Sequence, residues 1–382
     1  MKSLSDLLLS AGAIIAGTAL IAYVLIAHAE WSVLAAIAIG AAMIFGAEYA
    51  GIGPAIARVF DNRTTAVALL VGLLTFGFMI WVRDDHFLLL MLATVLIFGI
   101  ACLGLTIQFG YVGVVNFAGA AFFGIGGYTV AMLAPLAAIP SLLLVLIAGC
   151  VGAAIASVLI LPVLRTKGHY AALITIAFGI LFRTFLEVNE HLGGPQGLKV
   201  QSLKIFGWDL GQSLEIGSFE ASTYFNYAAL ALVLFGACVI LARNLDRSWV
   251  GINLDVIRVD ETAAASFGID VARWRILAFL LGNFLIAVAG ALYAMMSGLV
   301  APNNFTFADS LLMISIIILA GVGNTYGVIP AAVIALVIPE KLQALGEYRL
   351  FIFAILVVLI LRFRPQGLFP RTMREFRSET NR

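Results

Sequence analysis

Long, almost uninterrupted apolar runs constrain this chain more than any other feature. Twelve of them reach or approach the ~20 residues that a helix needs to cross a bilayer. They are Leu7–Ala29, Trp31–Ala57, Thr64–Val82, Phe87–Ile107, Val112–Ala134, Leu136–Leu164, Tyr170–Val188, Thr223–Ala242, Ile276–Met296, Asp309–Val322, Gly327–Leu345 and Arg349–Leu361. Inside lipid every backbone polar group must find its partner within the protein, which leaves helices and closed barrels as the only spanning forms. Barrel strands would read as alternating segments of roughly 10 residues, and these runs are continuous. The chain is therefore read as all-α, a polytopic integral membrane protein of about 10–12 transmembrane helices. The run Leu7–Ala29 exceeds the ~7–15 residues of a signal-peptide core and is taken as an uncleaved first helix.

Two of the runs are irregular. Residues 110–128 hold six glycines and one Asn, and Asp309–Val322 is short and followed by GVGNTYG. Either segment is broken or re-entrant, as at many solute sites in transporters, or its small residues serve close helix packing. Both alternatives stand at this point.

Of the 22 Lys and Arg residues, 16 fall on one side of the resulting topology, five on the other, and Arg183 falls within a run. The basic side is the cytoplasmic one by the positive-inside bias. Both termini are placed there. A net charge of +1 offers nothing to nucleic acid. Three scattered cysteines, Cys102, Cys150 and Cys238, all in apolar runs, suggest neither a disulfide framework nor a metal site.

The basic side also carries the one long polar excursion between spans, DRSWVGINLDVIRVDETAAASFGIDVARWR (246–275). Trp249, Ile252, Val256, Val259, Ala263 and Phe267 recur at three- and four-residue steps, which predicts one face of a helix. Gly268 is placed to end that helix and Asp270 to cap the next. With only Arg247 and Arg258 ahead of Glu261, electrostatic attraction to lipid is weak, and docking to a soluble partner is favoured.

No catalytic set emerges. The chain lacks GxxxxGK[ST], so it does not cradle nucleotide phosphates in that way, and no HExxH or paired intramembrane carboxylates are present. Mid-span charge is sparse, which disfavours an ion-coupled secondary carrier. Arg183 is the clear case, with Glu187 one helical turn on. Asn116, Phe117, Tyr128 and Arg183 are the candidate solute-pathway residues, from polarity and position.

The segment Ile257–Gly268 closely resembles the I-R-x-D-E-x-A-A-x-x-x-G coupling loop of permease subunits of ATP-binding-cassette importers, in the form found in branched-chain amino-acid permeases of the LivM type. Further blocks agree: residues 110–133, 164–183, LGGPQGL (192–198), 289–307, 319–332 and RFRPQGLF (362–369). The resemblance covers about residues 88–370. It implies a transport subunit, not an enzyme, that moves branched-chain or related amino acids. Its partners would be a LivH-like second permease, two cytoplasmic ATPases that bind ATP and Mg, and a periplasmic solute-binding protein; this chain itself would hold no cofactor and no metal. A urea or short-amide importer is a close variant. Arg258, Asp260, Glu261, Ala264 and Gly268 would form the ATPase-coupling site. Departures from the family pattern fall at Ile252, Asp255, Gly179 and Asn116. The implied organisation is an N-terminal extension with two extra spans (1–60), a permease domain (61–370) and a tail (371–382).

Overall fold

The computed structural model describes residues 2–27, 30–49, 64–135, 139–166, 169–205, 207–216, 219–343, 346, 348–369 and 371. Every apolar run contributes helix. In chain order these are α1 (Lys2–Ile26), α2 (Glu30–Tyr49), α3 (Thr64–Trp81), α4 (His86–Leu105), α5 (Gly119–Leu133), α6 (Ser141–Arg165), α7 (His169–Val188) and α8 (Thr223–Arg247). The polar excursion adds α9 (Trp249–Val259) and α10 (Glu261–Ser266). The rest are α11 (Val271–Ser297), α12 (Phe307–Ala320), α13 (Val328–Ala332), α14 (Ile338–Lys341) and α15 (Tyr348–Phe363). Six helical stretches among the described residues are long and apolar enough to cross a membrane, and five shorter apolar helices accompany them. The chain is an all-α, polytopic membrane protein.

α11 is the axis of the bundle, packed against α4, α5 and α6. Small residues allow that closeness. A Cβ on Gly104 would lie 2.4 Å from the Gly282 carbonyl oxygen, and one on Gly152 would lie 2.5 Å from the Ala287 Cβ. Without a hydrophobic driving force between helices in lipid, such approach is where dispersion contacts accumulate. The N-terminal α1 and α2 pack on each other, and α1 also touches α3 and α4, so the extension is part of the same bundle. The second predicted run, Trp31–Ala57, extends into 50–63, outside the described residues.

At one end of the bundle, chain segments between α7 and α8 form short antiparallel pairs: β2 (Lys204–Ile205) with β3 (Trp208–Asp209), and β4 (Leu214–Ile216) with β5 (Phe219–Ala221). β1 (Leu198–Lys199) pairs with β6 (Leu299–Val300) and ties this loop to the end of α11. The opposite end carries α9, α10 and the segment 364–371 and is called the basic end below.

The glycine-rich run is broken, not a continuous span over Val112–Ala134. α4 widens into a π-helical turn at Thr106–Tyr111, residues 113–118 are non-helical, and α5 starts only at Gly119. A second π-helical turn, Val333–Val337, joins α13 to α14 within the predicted run Gly327–Leu345. The short run is real: α12 ends at Gly321, whose φ of 104° lies where an L side chain is strained.

Candidate functional site

Two regions of the structure carry polar groups where a membrane helix bundle would ordinarily have none. The first surrounds the break between α4 and α5. Asn116 points inward, and its Nδ2 donates to Gln108 Oε1 at 2.9 Å and Asn283 Oδ1 at 3.0 Å. Its own Oδ1 accepts from the Ala118 N–H at 2.9 Å. Gln108 and Asn283 in turn donate to the Phe279 carbonyl. All three amides are buried, so the network satisfies itself and holds the non-helical segment against α11. Buried polar groups stay in place when every donor is met, because an unmet one costs the full desolvation penalty.

N–H groups just before and at the start of α5 are met by side chains from two other helices. Phe117 N–H donates to Thr175 Oγ1 of α7, and Ala120 N–H donates to Ser310 Oγ of α12, both at 3.0 Å. Ser310 lies about 15 Å along α12 from Ala320 at the usual helical rise, and Gly119 to Phe123 at the start of α5 are all buried. α5 thus begins deep inside the bundle. Phe117 is half-buried there, with its ring 6.5 Å from that of Phe307.

The other two pathway candidates lie elsewhere. Tyr128 is buried two to three turns further along α5, beside Phe305, and its hydroxyl meets no hydrogen-bond partner. Arg183 pairs with Glu187 at 2.8 Å and donates to Asn303 Oδ1 at 3.1 Å, so it ties α7 to the turn before α12. Its side chain is 39% exposed, on a helix that is otherwise largely uncovered. Phe117 and Arg183 therefore share the α7–α12 side of the bundle, while Asn116 and Tyr128 sit within it.

The second region is the basic end. The excursion folds as helix, elbow and helix, not as the single helix that the apolar spacing suggested. α9 stops at Val259, and Asp260 turns the chain with φ −154° and ψ 110°. The Asp260 carboxylate accepts from the Thr262 and Ala263 N–H groups at 2.8 and 3.0 Å. That is the N-cap geometry an aspartate favours, since it meets two orphan donors and its charge suits a helix start. The Schellman pattern ends α10: Gly268 N–H donates to the Ala265 carbonyl and Ile269 N–H to that of Ala264. Gly268 has φ 80°, as expected of a glycine after a helix. Asp270 then caps α11 through the Arg273 N–H.

Burial sorts these residues. Leu254, Ile257 and Ala264 face the bundle and are buried, whereas Trp249, Val259 and Phe267 are exposed, Phe267 by 82%. Asp260, Glu261 and Gly268 are exposed, and Glu261 forms a bidentate pair with Arg275 at the foot of α11. Of the five coupling candidates, Ala264 is packed inside and Arg258 is turned inward. The Arg258 guanidinium reaches the Gly110 carbonyl at the end of the π-helical turn. Burial and the nearby Arg371 charge hold its pKa below the ordinary arginine value.

Sequence reasoning passed over Arg371, the first residue of the expected tail. Its guanidinium bridges Asp246 at the end of α8 and Asp255 on α9, the latter at 2.8 Å, and lies 4.7 Å over the Tyr111 ring. Burial opposes its charge, but the two carboxylates raise its pKa above the usual arginine value. No local sequence signal marks this residue; its partners lie 116 and 125 positions away. Residues 372–382 of the tail lie outside the described residues.

Comparison with known proteins matches residues 87–361 to the family model described as "Branched-chain amino acid transport system / permease component". The chain is 33% identical over 296 residues to the high-affinity branched-chain amino acid transport system permease protein LivM of Salmonella typhimurium, covering 72% of this chain and 68% of that protein. It is 24% identical over 323 residues to a probable LivM of Methanocaldococcus jannaschii, covering 71% and 90%. It is 26% identical over 292 residues to the LivH permease of Escherichia coli, covering 72% and 91%. These relatives are transport permeases, not enzymes. No solved structure matches. With the family model spanning most of the chain and the elbow, the broken helix and the buried amides all within or beside the matched residues, this protein belongs to the branched-chain amino acid transport permease family.

Proposed function

We propose that this chain is a permease subunit of an ATP-driven importer of branched-chain or related amino acids, with the ATPase activity on other chains. The observation that carries the reading is the exposed elbow of α9, Asp260 and α10. It presents Trp249, Val259, Glu261 and Phe267 to the outside while Leu254, Ile257 and Ala264 root it in the bundle. Large apolar side chains exposed on a capped helix pair, at the end richest in Lys and Arg, suit a groove on a soluble partner. That end faces the cytoplasm by the positive-inside bias, and two ATPases that bind ATP and Mg would dock there. Asp260 and Gly268 shape the elbow, Ala264 anchors it, Glu261 offers a charge at its tip, and Arg258 ties it to Gly110. The membrane is the bacterial inner membrane, and a periplasmic binding protein would meet the strand-bearing end.

A LivH-like second permease would complete the pathway. α7, with Arg183 and Glu187 on a largely uncovered helix, favours that side for the pairing, because an ion pair within a span does not face lipid without cost. Phe117 and Phe307 would then line the apolar wall that the solute side chain passes. Asn116 and Tyr128 act from behind, by holding α5 in place.

The direct test is uptake of labelled leucine into proteoliposomes holding this chain with its partner permease, ATPases and binding protein. Uptake that requires ATP and both ATPases supports the reading. Uptake that persists without any ATPase overturns it, and uptake of urea in place of leucine reassigns the solute. In the same preparation, Glu261→Lys is expected to lose ATPase co-purification while membrane insertion stays intact.

A further inference from the structure

The segment after α15 makes a strap across the basic end. Gly367, with φ 85°, turns the chain against Gly321. Leu368 and Phe369 N–H groups then donate to the Leu319 and Ala320 carbonyls at 2.8 and 3.1 Å, which satisfies the open end of α12. Arg364 closes the turn by donating to the Leu368 carbonyl at 2.9 Å. The strap delivers Arg371 into a nearly closed site, with 12% of its side chain exposed against 14% for Asp246 and 20% for Asp255.

That site is where separate parts of the protein meet. Asp246 ends α8, Asp255 lies mid-way along α9, and Tyr111 closes the π-helical turn of α4. Beside it Arg258, also on α9, reaches the Gly110 carbonyl, and a Cβ on Gly110 would fall 2.6 Å from the Gly323 Cα in the loop after α12. Gln108, two residues before Gly110, accepts from Asn116 in the broken segment that leads to α5. A connected route therefore runs from α9 to the break in the bundle: an ion pair from Asp255 to Arg371, a cation–π contact from Arg371 to Tyr111, the backbone from Tyr111 back to Gln108, and a neutral amide bond from Asn116 to Gln108. A planar guanidinium that holds two carboxylates while stacked on an aromatic ring fixes direction as well as distance.

We propose that Arg371 is a positioning residue for transport, a link that acts beside the Arg258–Gly110 bond to carry displacement of the 246–275 loop to the end of α4 and so to the start of α5. The proposal rests on the ATP-driven reading above. A rigid link of this kind passes motion on, whereas an elbow held only by apolar packing would slide. Because Arg371 lies away from the exposed tip of the elbow, docking and hydrolysis do not depend on it.

The test uses the complete importer in proteoliposomes and reads two quantities: ATP hydrolysed and labelled leucine moved. In Arg371→Ala the ATPases stay attached and hydrolyse ATP, but leucine moved per ATP falls by about 2- to 30-fold, the range for residues that carry coupling between sites. Arg371→Lys, which keeps the charge but not the two-carboxylate bridge, gives an intermediate ratio. Asp255→Asn, isosteric and less disruptive, lowers the ratio in the same direction, and the double variant is no worse than Arg371→Ala alone, since both remove one link. If Arg371→Ala does not assemble, the Asp255→Asn and Arg371→Lys ratios decide. A native ratio in the variants that assemble overturns the proposal, as does a loss that tracks ATPase attachment. Absence of ATP-dependent uptake in the native complex is a different result: it overturns the ATP-driven reading itself.

Discussion

Gly126 of α5 and Ala287 of α11 meet through bare backbone: a Cβ on Gly126 would lie 1.9 Å from the Ala287 carbonyl oxygen. The relationship is reciprocal one turn away, where a Cβ on Gly290 would lie 1.8 Å from the carbonyl oxygen of Phe123. Two helices that approach this closely cannot accept a methyl group without separating, and their separation would carry α5 and its deep N-terminus with it.

Gly126→Ala and Gly290→Ala are each expected to destabilise the protein by at least the ~1–3 kcal/mol typical of overpacking. Gly179→Ala is the control, because open space surrounds that position on α7; there the change should be neutral or stabilising by up to ~1 kcal/mol. Thermal unfolding of the detergent-solubilised chain checks both. Equal melting temperatures for Gly126→Ala and Gly179→Ala would contradict the packing account.

Asn116→Leu should leave Gln108 Oε1 and Asn283 Oδ1 without a donor in a buried site. Each stranded group costs about 1–3 kcal/mol, so stability and leucine uptake should fall together. A variant that melts like the native protein but fails to transport would instead give Asn116 a direct contact with the solute.

Phe117→Ala separates those two roles from the other side. Its ring is half-buried and touches Phe307 at the edge of the bundle, so its removal should change the melting temperature little. The expected effect is on transport, as lower uptake at saturating binding protein with the ATPases still attached. Native uptake rates would remove Phe117 from the pathway.

The elbow offers a graded test. Asp260→Ala removes a cap to two N–H groups and should weaken α10 by about 0.5–2 kcal/mol. Gly268→Ala forces an L side chain to φ 80° and should cost about 1–2 kcal/mol. Both losses are local, so each should reduce ATPase co-purification in a pull-down without lowering the amount of chain in the membrane. Unchanged co-purification in both would remove the elbow from the docking surface.

Much of this protein is determined by its sequence alone. Apolar length dictates helices, because lipid offers backbone groups no other partner. The cap at Asp270 and the stop at Gly268 are local chemistry, legible from residues within three or four positions. The elbow was missed because apolar spacing continues through Asp260 from Val259 to Ala263, and periodicity alone does not show that a carboxylate has turned back on its own backbone.

Tertiary structure decided the rest. Whether the six glycines of 110–128 break the helix or pack it had two answers in the sequence, and the fold uses both: Gly126 packs, and residues 113–118 break. That outcome depends on Gln108 and Asn283, which reach Asn116 only once α4 and α11 are in contact. Arg371 reads as one more tail arginine until the strap brings it to Asp246 and Asp255, more than 100 residues away. Hydrophobic length acts locally and is written in order along the chain. Charge pairing and amide networks act at 3 Å between residues that only the folded bundle makes neighbours.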